Sequence, residues 1–205
     1  MSEETNLSSQ KLSRADRKAE LKLAQRKTAK PLLWIGIVSI VMLFAGLTSA
    51  YVVRADNGNW LIFQLPSIVF ISTAIIITSS ITMFLAQQAI KKNNYRLTSI
   101  ALFLTLALGF GFFFSQIQAW KELTAQGIYF LGSKSNASGS FLYLIAFLHI
   151  CHMIGGIIAL TVSLTKCLLK KYSSADYLGI ELTAIYWHFL DLLWVYLFLF
   201  LYFYR

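Results

Sequence analysis

Charge is scarce in this chain, and proline, cysteine and histidine are scarcer. Of 205 residues only 13% are charged, and there are two prolines, two cysteines and three histidines. Each shortage excludes something. Cys151 and Cys167 fall on one helical stretch about 24 Å apart at 1.5 Å per residue, so they cannot bridge each other. The prolines stand only at 31 and 66, each read as the first turn of a helix, where a missing amide proton costs little. The chain also shows no inverted-repeat hydropathy and no paired Gly/Pro interruptions, so the broken half-helices of a transporter have no sequence mark here. No segment alternates apolar and polar residues with period two, which excludes a membrane β-barrel, and no internal repeat is present. The first 30 residues hold charges but no apolar run. The expectation is therefore no cleavable signal peptide, with the first apolar stretch serving as the targeting signal.

What remains is strongly apolar. Hydrophobic residues make up 57% of the chain and mean hydropathy is +0.63. They come in five long runs, about 32–53, 66–89, 97–119, 140–165 and 180–203, each close to the ~20 helical residues that cross a hydrocarbon core. With strands excluded, helices are the remaining spanning element. The expected fold is an all-α integral membrane bundle of five transmembrane helices over 31–205, preceded by a basic tail over 1–30. Residues 1–10 read as disordered. Within 11–30, Leu12, Ala15, Ala19 and Leu23 share a face suited to a helix lying on the membrane surface, with a solvated tail as the alternative.

The charge of +9 is distributed by topology. Lys and Arg cluster at 11–30, at 91, 92 and 96, and at 166, 170 and 171; the alternate segments hold only Arg54, Lys121, Lys134 and Arg205. The positive-inside rule then places the N-terminus in the cytoplasm and the C-terminus outside. One-sided basic flanks argue for anionic headgroups and against nucleic acid. Short turns follow on the inner side, Asp56-Asn57-Gly58-Asn59 reads as an outer turn, and the link over 121–140 reads as the longest and most flexible.

The chemistry-bearing residues sit in the last two spans. Glu181, Ala184, His188 and Asp191 follow each other at helical steps of three and four, so they share one face, and that face should turn inward because an Asp at mid-span costs roughly 2.5 to 3.5 kcal/mol. His149 and His152 share a face of the fourth span, with Gly155 and Gly156 a turn later offering close backbone approach. Three readings compete at this level. The histidines could be hydrogen-bonded structural residues; His152 and His188 could ligate a haem; Glu181, His188 and Asp191 could relay protons. A metal centre wants more ligands of the right type, and a relay has no carboxylate to continue through in the first three spans. The second span carries Ser67, Ser72, Thr73, Thr78, Ser79, Ser80 and Thr82, weakly polar and small, and reads as a packing helix.

Two motifs then resemble a known family. Glu181, Tyr186-Trp187-His188-Phe189, Asp191 and Trp194 are similar to the closing-helix signature of subunit III of the haem-copper terminal oxidases. Phe147-x-His149-x-x-His152-x-x-Gly155 resembles the signature of the helix before it. Looser matches follow in family order: Met42 to Leu47 with Ala50, Tyr51 and Arg54; Thr78-Ser79-Ser80; and Leu108-Gly109 through Gln116. The chain resembles the short five-helix form that lacks the N-terminal helix pair. The resemblance implies an accessory subunit of a bacterial cytoplasmic-membrane oxidase with no cofactor or metal of its own. It would be packed beside a catalytic subunit I that carries haem and copper and beside a copper-bearing or quinol-type subunit II, with a larger respiratory supercomplex possible in principle. It further implies bound phospholipid, support of proton uptake and turnover stability, and an internal network of His149, His152, Glu181, Trp187, His188, Asp191 and Trp194. A cytochrome c oxidase is favoured; the small subunit of a quinol oxidase or nitric oxide reductase, or a cytochrome b-type protein, are the alternatives. The chain departs from the family at Ile40, where many members carry a buried Glu, at Gln87 and Gln88, where a His pair is common, and at Ala119, where a Glu is common. A hydrophobe at 40 cannot exchange a proton.

Overall fold

The computed structural model describes residues 2–55, 66–130, 137–173 and 176–204. Its five helices are α1 (Ser2–Ala55), α2 (Ile68–Lys91), α3 (Tyr95–Ala125), α4 (Ala137–Leu168) and α5 (Leu178–Phe203). Among the described residues there is no strand, only an isolated antiparallel bridge between Ser173 and Asp176. Each helix is long and apolar enough to cross a membrane, so the expected class of five spanning helices is what the chain forms. The Asp56 to Asn59 turn lies outside the described residues.

The helices outrun the apolar stretches at several ends. A 31-residue α3 is about 46 Å long, comparable to the bilayer with its headgroup layers. The link expected over 121–140 is shorter than the sequence suggested. α3 runs on to Ala125 and α4 already starts at Ala137, because Glu, Leu, Lys and Ala prolong a helix past the last membrane-buried turn. Pro31 lies inside α1 instead of opening a helix, and residues 2–10, read as disordered, belong to the same helix. The preceding segment is rich in Lys, Glu, Gln, Ala and Leu, all strong helix formers, and one proline removes one amide donor without stopping it. Of the proposed surface-lying face only Leu23 has a described side chain, and it is exposed.

The chain divides into two compact units, Met1–Ser39 and Ile40–Arg205. The first is the N-terminal part of α1, where Leu32, Trp34, Ile35 and Val38 are more than half exposed and Ser39 bonds back to the Ile35 carbonyl at 3.0 Å. The second holds the core. There α2 packs on α3 and α5, and α4 packs on α3 and α5, so α2 and α4 face each other across a closed cycle of four helices. One buried cluster fills that cycle, with Ile76, Met83, Leu102, Phe112, Met153, Leu160, Ile180, Trp187 and Trp194 among its members. Phe44 and Tyr51 join a second cluster with Leu123, Leu142, Ile145, Leu193 and Leu197, against which Ile40 also packs. In lipid no water is expelled on association, so close fit and polar bonds between helices hold such a bundle.

Three helices stop in the same way. After α2, α3 and α4 the chain turns through a left-handed residue, Asn93 (φ 54), Gly127 (φ 81) and Lys170 (φ 51). In each case the amide one residue on bonds back five residues: Asn94 to Ala89, Ile128 to Leu123 and Lys171 to Lys166, at 3.0 to 3.1 Å. These are Schellman motifs, which satisfy carbonyls a helix end leaves open. Gly and Asn suit the left-handed position; Lys pays about 1 kcal/mol for it. Asn94 then caps α3 by accepting from the Leu97 amide at 3.2 Å.

Candidate functional site: the polar interior of the bundle

Trp187 occupies the middle of the four-helix cycle and is fully buried. The chain admits it by thinning the two helices beside it. A β-carbon on Gly109 of α3 would stand 2.8 Å from Trp187 Cη2, and one on Gly156 of α4 would stand 3.3 Å from its Cε3 and Cζ3. Its indole N–H donates to Ser79 Oγ of α2 at 3.0 Å. Two turns further along α5, Trp194 donates to Thr73 Oγ1 of α2 at 3.2 Å. His188 Nδ1 shares a 2.6 Å hydrogen bond with Ser80 Oγ, again on α2. Gln116 of α3 donates to Ser72 Oγ at 3.0 Å. α2, read from sequence as a packing helix, therefore supplies the polar partners of the interior. Its hydroxyls also bond their own helix, as Ser79 does to the Ile76 carbonyl at 2.8 Å, which leaves their lone pairs free to accept from an indole.

The inward face of α5 is centred on Trp187. Its buried residues are Ile180, Thr183, Ala184, Trp187, Leu190, Asp191, Leu193, Trp194, Leu197 and Leu201. Of the face expected to turn inward, Ala184 and Asp191 are buried while Glu181 and His188 are half-buried. Glu181 opens α5 and lies in its first turn. Asp191 and His188 are not a mutually satisfied pair: His188 Nδ1 goes to Ser80, and neither carboxylate oxygen of Asp191 has a hydrogen-bond partner.

The two histidines of α4 part company. His149 is fully buried in an aromatic cage, with ring centroids 5.1 Å from Trp194, 6.0 Å from Phe112 and 6.5 Å from Phe44. Neither of its ring nitrogens has a partner. His152 is half-buried; its Nδ1 donates to the Leu148 carbonyl at 2.7 Å, its ring lies 5.7 Å from Phe44, and its own carbonyl accepts from the Tyr186 hydroxyl at 3.1 Å. His152 and His188 thus make their Nδ1 contacts to different helices, α4 and α2. Among the described residues no three His, Cys, Asp or Glu side chains gather as a metal-holding group.

The site that forms is a stack of side chains at the helix crossings, with Trp187 and Trp194 as its long members and His149 and Asp191 as its unpaired polar ones. Sequence reasoning missed Thr73, Ser79 and Ser80 as partners. Only the density of small hydroxyls along α2 signalled them.

Fold and interior together define a polytopic α-helical membrane protein whose polar side chains are held between helices. The family model described as cytochrome c oxidase subunit III matches residues 61–205. A probable cytochrome c oxidase subunit 3 of Nocardia farcinica is 32% identical over 182 residues, covering 85% of this chain and 86% of that protein. A cytochrome c oxidase subunit 3 from a Bacillus species is 28% identical over 173 residues, 80% of each chain. The mosquito Aedes aegypti subunit 3 is 31% identical over 140 residues, 68% of this chain but 50% of that one, so the chain spans about half the length of that relative. This chain belongs to the cytochrome c oxidase subunit III family.

Proposed function

We propose that the chain is the accessory, non-redox subunit III of an aerobic terminal oxidase of the cytochrome c oxidase type, seated in a bacterial cytoplasmic membrane. It would pack beside the catalytic subunit that holds haem and copper and beside subunit II, with its N-terminus in the cytoplasm. The observation that carries this reading is the identity of 32% with the Nocardia protein across 85% of the chain. Supporting it, His149 is buried among the rings of Phe44, Phe112 and Trp194, an arrangement suited to a rigid packing subunit.

In that role the chain would bind phospholipid and support assembly, proton uptake and turnover stability of the complex. Two apolar hollows support the lipid part. One, of about 280 Å³, lies between Val41, Phe44 and Ala45 of α1 and Phe189, Leu192 and Tyr196 of α5. The other, of about 600 Å³, lies between Ile117, Trp120 and Thr124 of α3 and Tyr143 and Phe147 of α4. Both are acyl-chain sized and open to the side. A proton-carrying role at position 40 is closed to this chain, because Ile40 packs in an apolar cluster. Any role the family assigns to a carboxylate there is absent from this chain or carried elsewhere.

The test is a tagged purification in mild detergent, with mass spectrometry of the partners and a reduced-minus-oxidised spectrum of the same sample. Co-purifying multi-helix subunits with a-type haem bands and oxygen uptake driven by reduced cytochrome c are the expected result. A chain that purifies alone, or with a quinol-driven or nitric oxide-reducing partner, would overturn the assignment.

A further inference from the structure

The smaller apolar hollow between α1 and α5 has a mouth of different chemistry. Ala45 and Tyr196 line that hollow, and both also line a second cavity of about 450 Å³ with Thr48, Ser49, Phe200 and Tyr204. The shared residues join the two into one groove. At one end stand Val41 and Phe189, each fourteen residues before the end of its helix, Ala55 or Phe203, about 21 Å along the axis. At the other end is Tyr204, one residue past α5. The groove therefore runs from mid-span to a helix-end, interfacial depth.

No charged side chain is among the described residues that line either part. One wall of the mouth is aromatic. Phe200 lies nearly parallel to Tyr196, centroids 6.3 Å apart at 26°, and to Tyr204, 5.2 Å apart at 22°. The buried Tyr51 meets the Phe200 ring edgewise at 5.2 Å and holds it in place. The facing wall, on α1, is small: Ala45, Thr48 and Ser49. Thr48 donates its proton to the Phe44 carbonyl at 3.0 Å, so it accepts from the Tyr196 hydroxyl at 3.2 Å and ties the two walls together. Ser49 and Tyr204 are exposed, which leaves one O–H donor on each side open to an occupant.

A complementary molecule has a flat, uncharged ring with acceptor oxygens at opposite edges and an apolar tail. A phosphate head meets no cation here. A sugar head brings more hydroxyls than the mouth can satisfy, and a diacylglycerol has no ring for the aromatic wall. Stacking on such a wall favours a planar π-system, and an apolar cleft with a few placed polar groups is the usual form of a small-molecule site.

We propose that this groove binds an isoprenoid quinone, with its ring against Phe200, its two carbonyls accepting from Ser49 and Tyr204, and its tail in the hollow beside Val41 and Leu192. The hollow takes an apolar chain whatever head it carries; the mouth selects the head. The site rests on the reading of the chain as a subunit of a respiratory membrane complex, and it adds a ligand class to that reading.

The experiment uses the tagged chain with whatever subunits accompany it, in mild detergent, photolabelled with an azido-substituted benzoquinone carrying a ten-carbon tail and mapped by peptide mass spectrometry. Label is expected on the peptides holding Thr48 to Val52 and Tyr196 to Tyr204, and excess unlabelled menaquinone should remove it. Ser49→Ala and Tyr204→Phe should each weaken that competition about threefold to tenfold, the share of one hydrogen bond, and Ala45→Phe should abolish labelling by filling the junction. Label that resists competition or falls on other helices overturns the proposal. Equal displacement by phosphatidylcholine also overturns it, in favour of a site for an acyl chain alone. If Ala45→Phe fails to fold, the two exposed hydroxyl variants decide, and unchanged competition in both removes the site. The masses of co-purifying subunits identify the complex separately, so a failure of the oxidase reading is told apart from a failure of the quinone site.

Discussion

Trp187 lies across Gly109, its Cη2 2.8 Å from the place a β-carbon would take. The relationship makes a glycine in one helix the condition for a tryptophan in another. The indole cannot retreat, because its N–H is held by Ser79 and its other edge meets Gly156. Gly109→Ala should therefore destabilise the protein by about 1 to 3 kcal/mol, the usual cost of forcing an extra carbon into a packed core. Gly156→Ala, with 3.1 Å to Leu190 Cδ1 as its tightest contact, should cost less. Thermal midpoints of the two variants in detergent, compared with Gly46→Ala, which meets nothing within 4 Å, give the ranking.

The indole bonds to α2 should show as pairwise coupling. Trp194→Phe and Thr73→Ala, singly and together, are expected to give a coupling near 0.6 kcal/mol and below about 1.7, the range found for polar pairs between spanning helices. Additive effects in the unfolding free energies would mean the 3.2 Å contact contributes nothing.

His149 and His188 should respond in opposite directions. His149 has no partner for either nitrogen inside its aromatic cage, so His149→Leu, close in volume, should raise stability by about 1 to 2 kcal/mol by removing an unsatisfied polar group. Asp191→Leu should gain less than His149→Leu, because the Ser80 hydroxyl lies within reach of the Asp191 carboxylate. His188→Leu removes the 2.6 Å partner of the Ser80 hydroxyl and should cost about 1 kcal/mol. Reversible unfolding in mixed micelles measures all three, and a large loss in His149→Leu would show that its ring nitrogens are in use.

Lys170 sits in the left-handed region at φ 51, where glycine is at ease. Lys170→Gly should stabilise the end of α4 by about 1 kcal/mol. Protection of the Lys171 amide, which bonds to Lys166, should rise in hydrogen exchange.

The five spans were legible because length and apolarity alone decide whether a helix crosses a membrane. Helix ends were not, since Lys, Glu and Ala continue a helix beyond the apolar run that marks it, as at 120–125. At the site, spacing told that Glu181, Ala184, His188 and Asp191 share a face, and the structure keeps them on one. It did not tell how far that face would rotate. The rotation is set by the bulk of Trp187, which finds room only between Gly109 and Gly156, and those glycines lie in two other segments of the chain. Ser79, Ser80 and Thr73 stood out only as part of a run of small hydroxyls, and their partners on α5 could not be read for a related reason: a hydroxyl that can satisfy itself on its own helix carries no mark of a second partner.

α5 is the most enclosed of the five spans, and its polar contacts to Ser79, Ser80 and Thr73 reach a helix 108 to 121 residues earlier in the chain. That separation imposes a schedule on biogenesis. α2 leaves the ribosome before α5, and until the two meet the nascent α5 carries the indoles of Trp187 and Trp194 and the imidazole of His188 without their hydroxyl partners. Its final depth is then registered by three hydroxyls rather than by hydrophobic length.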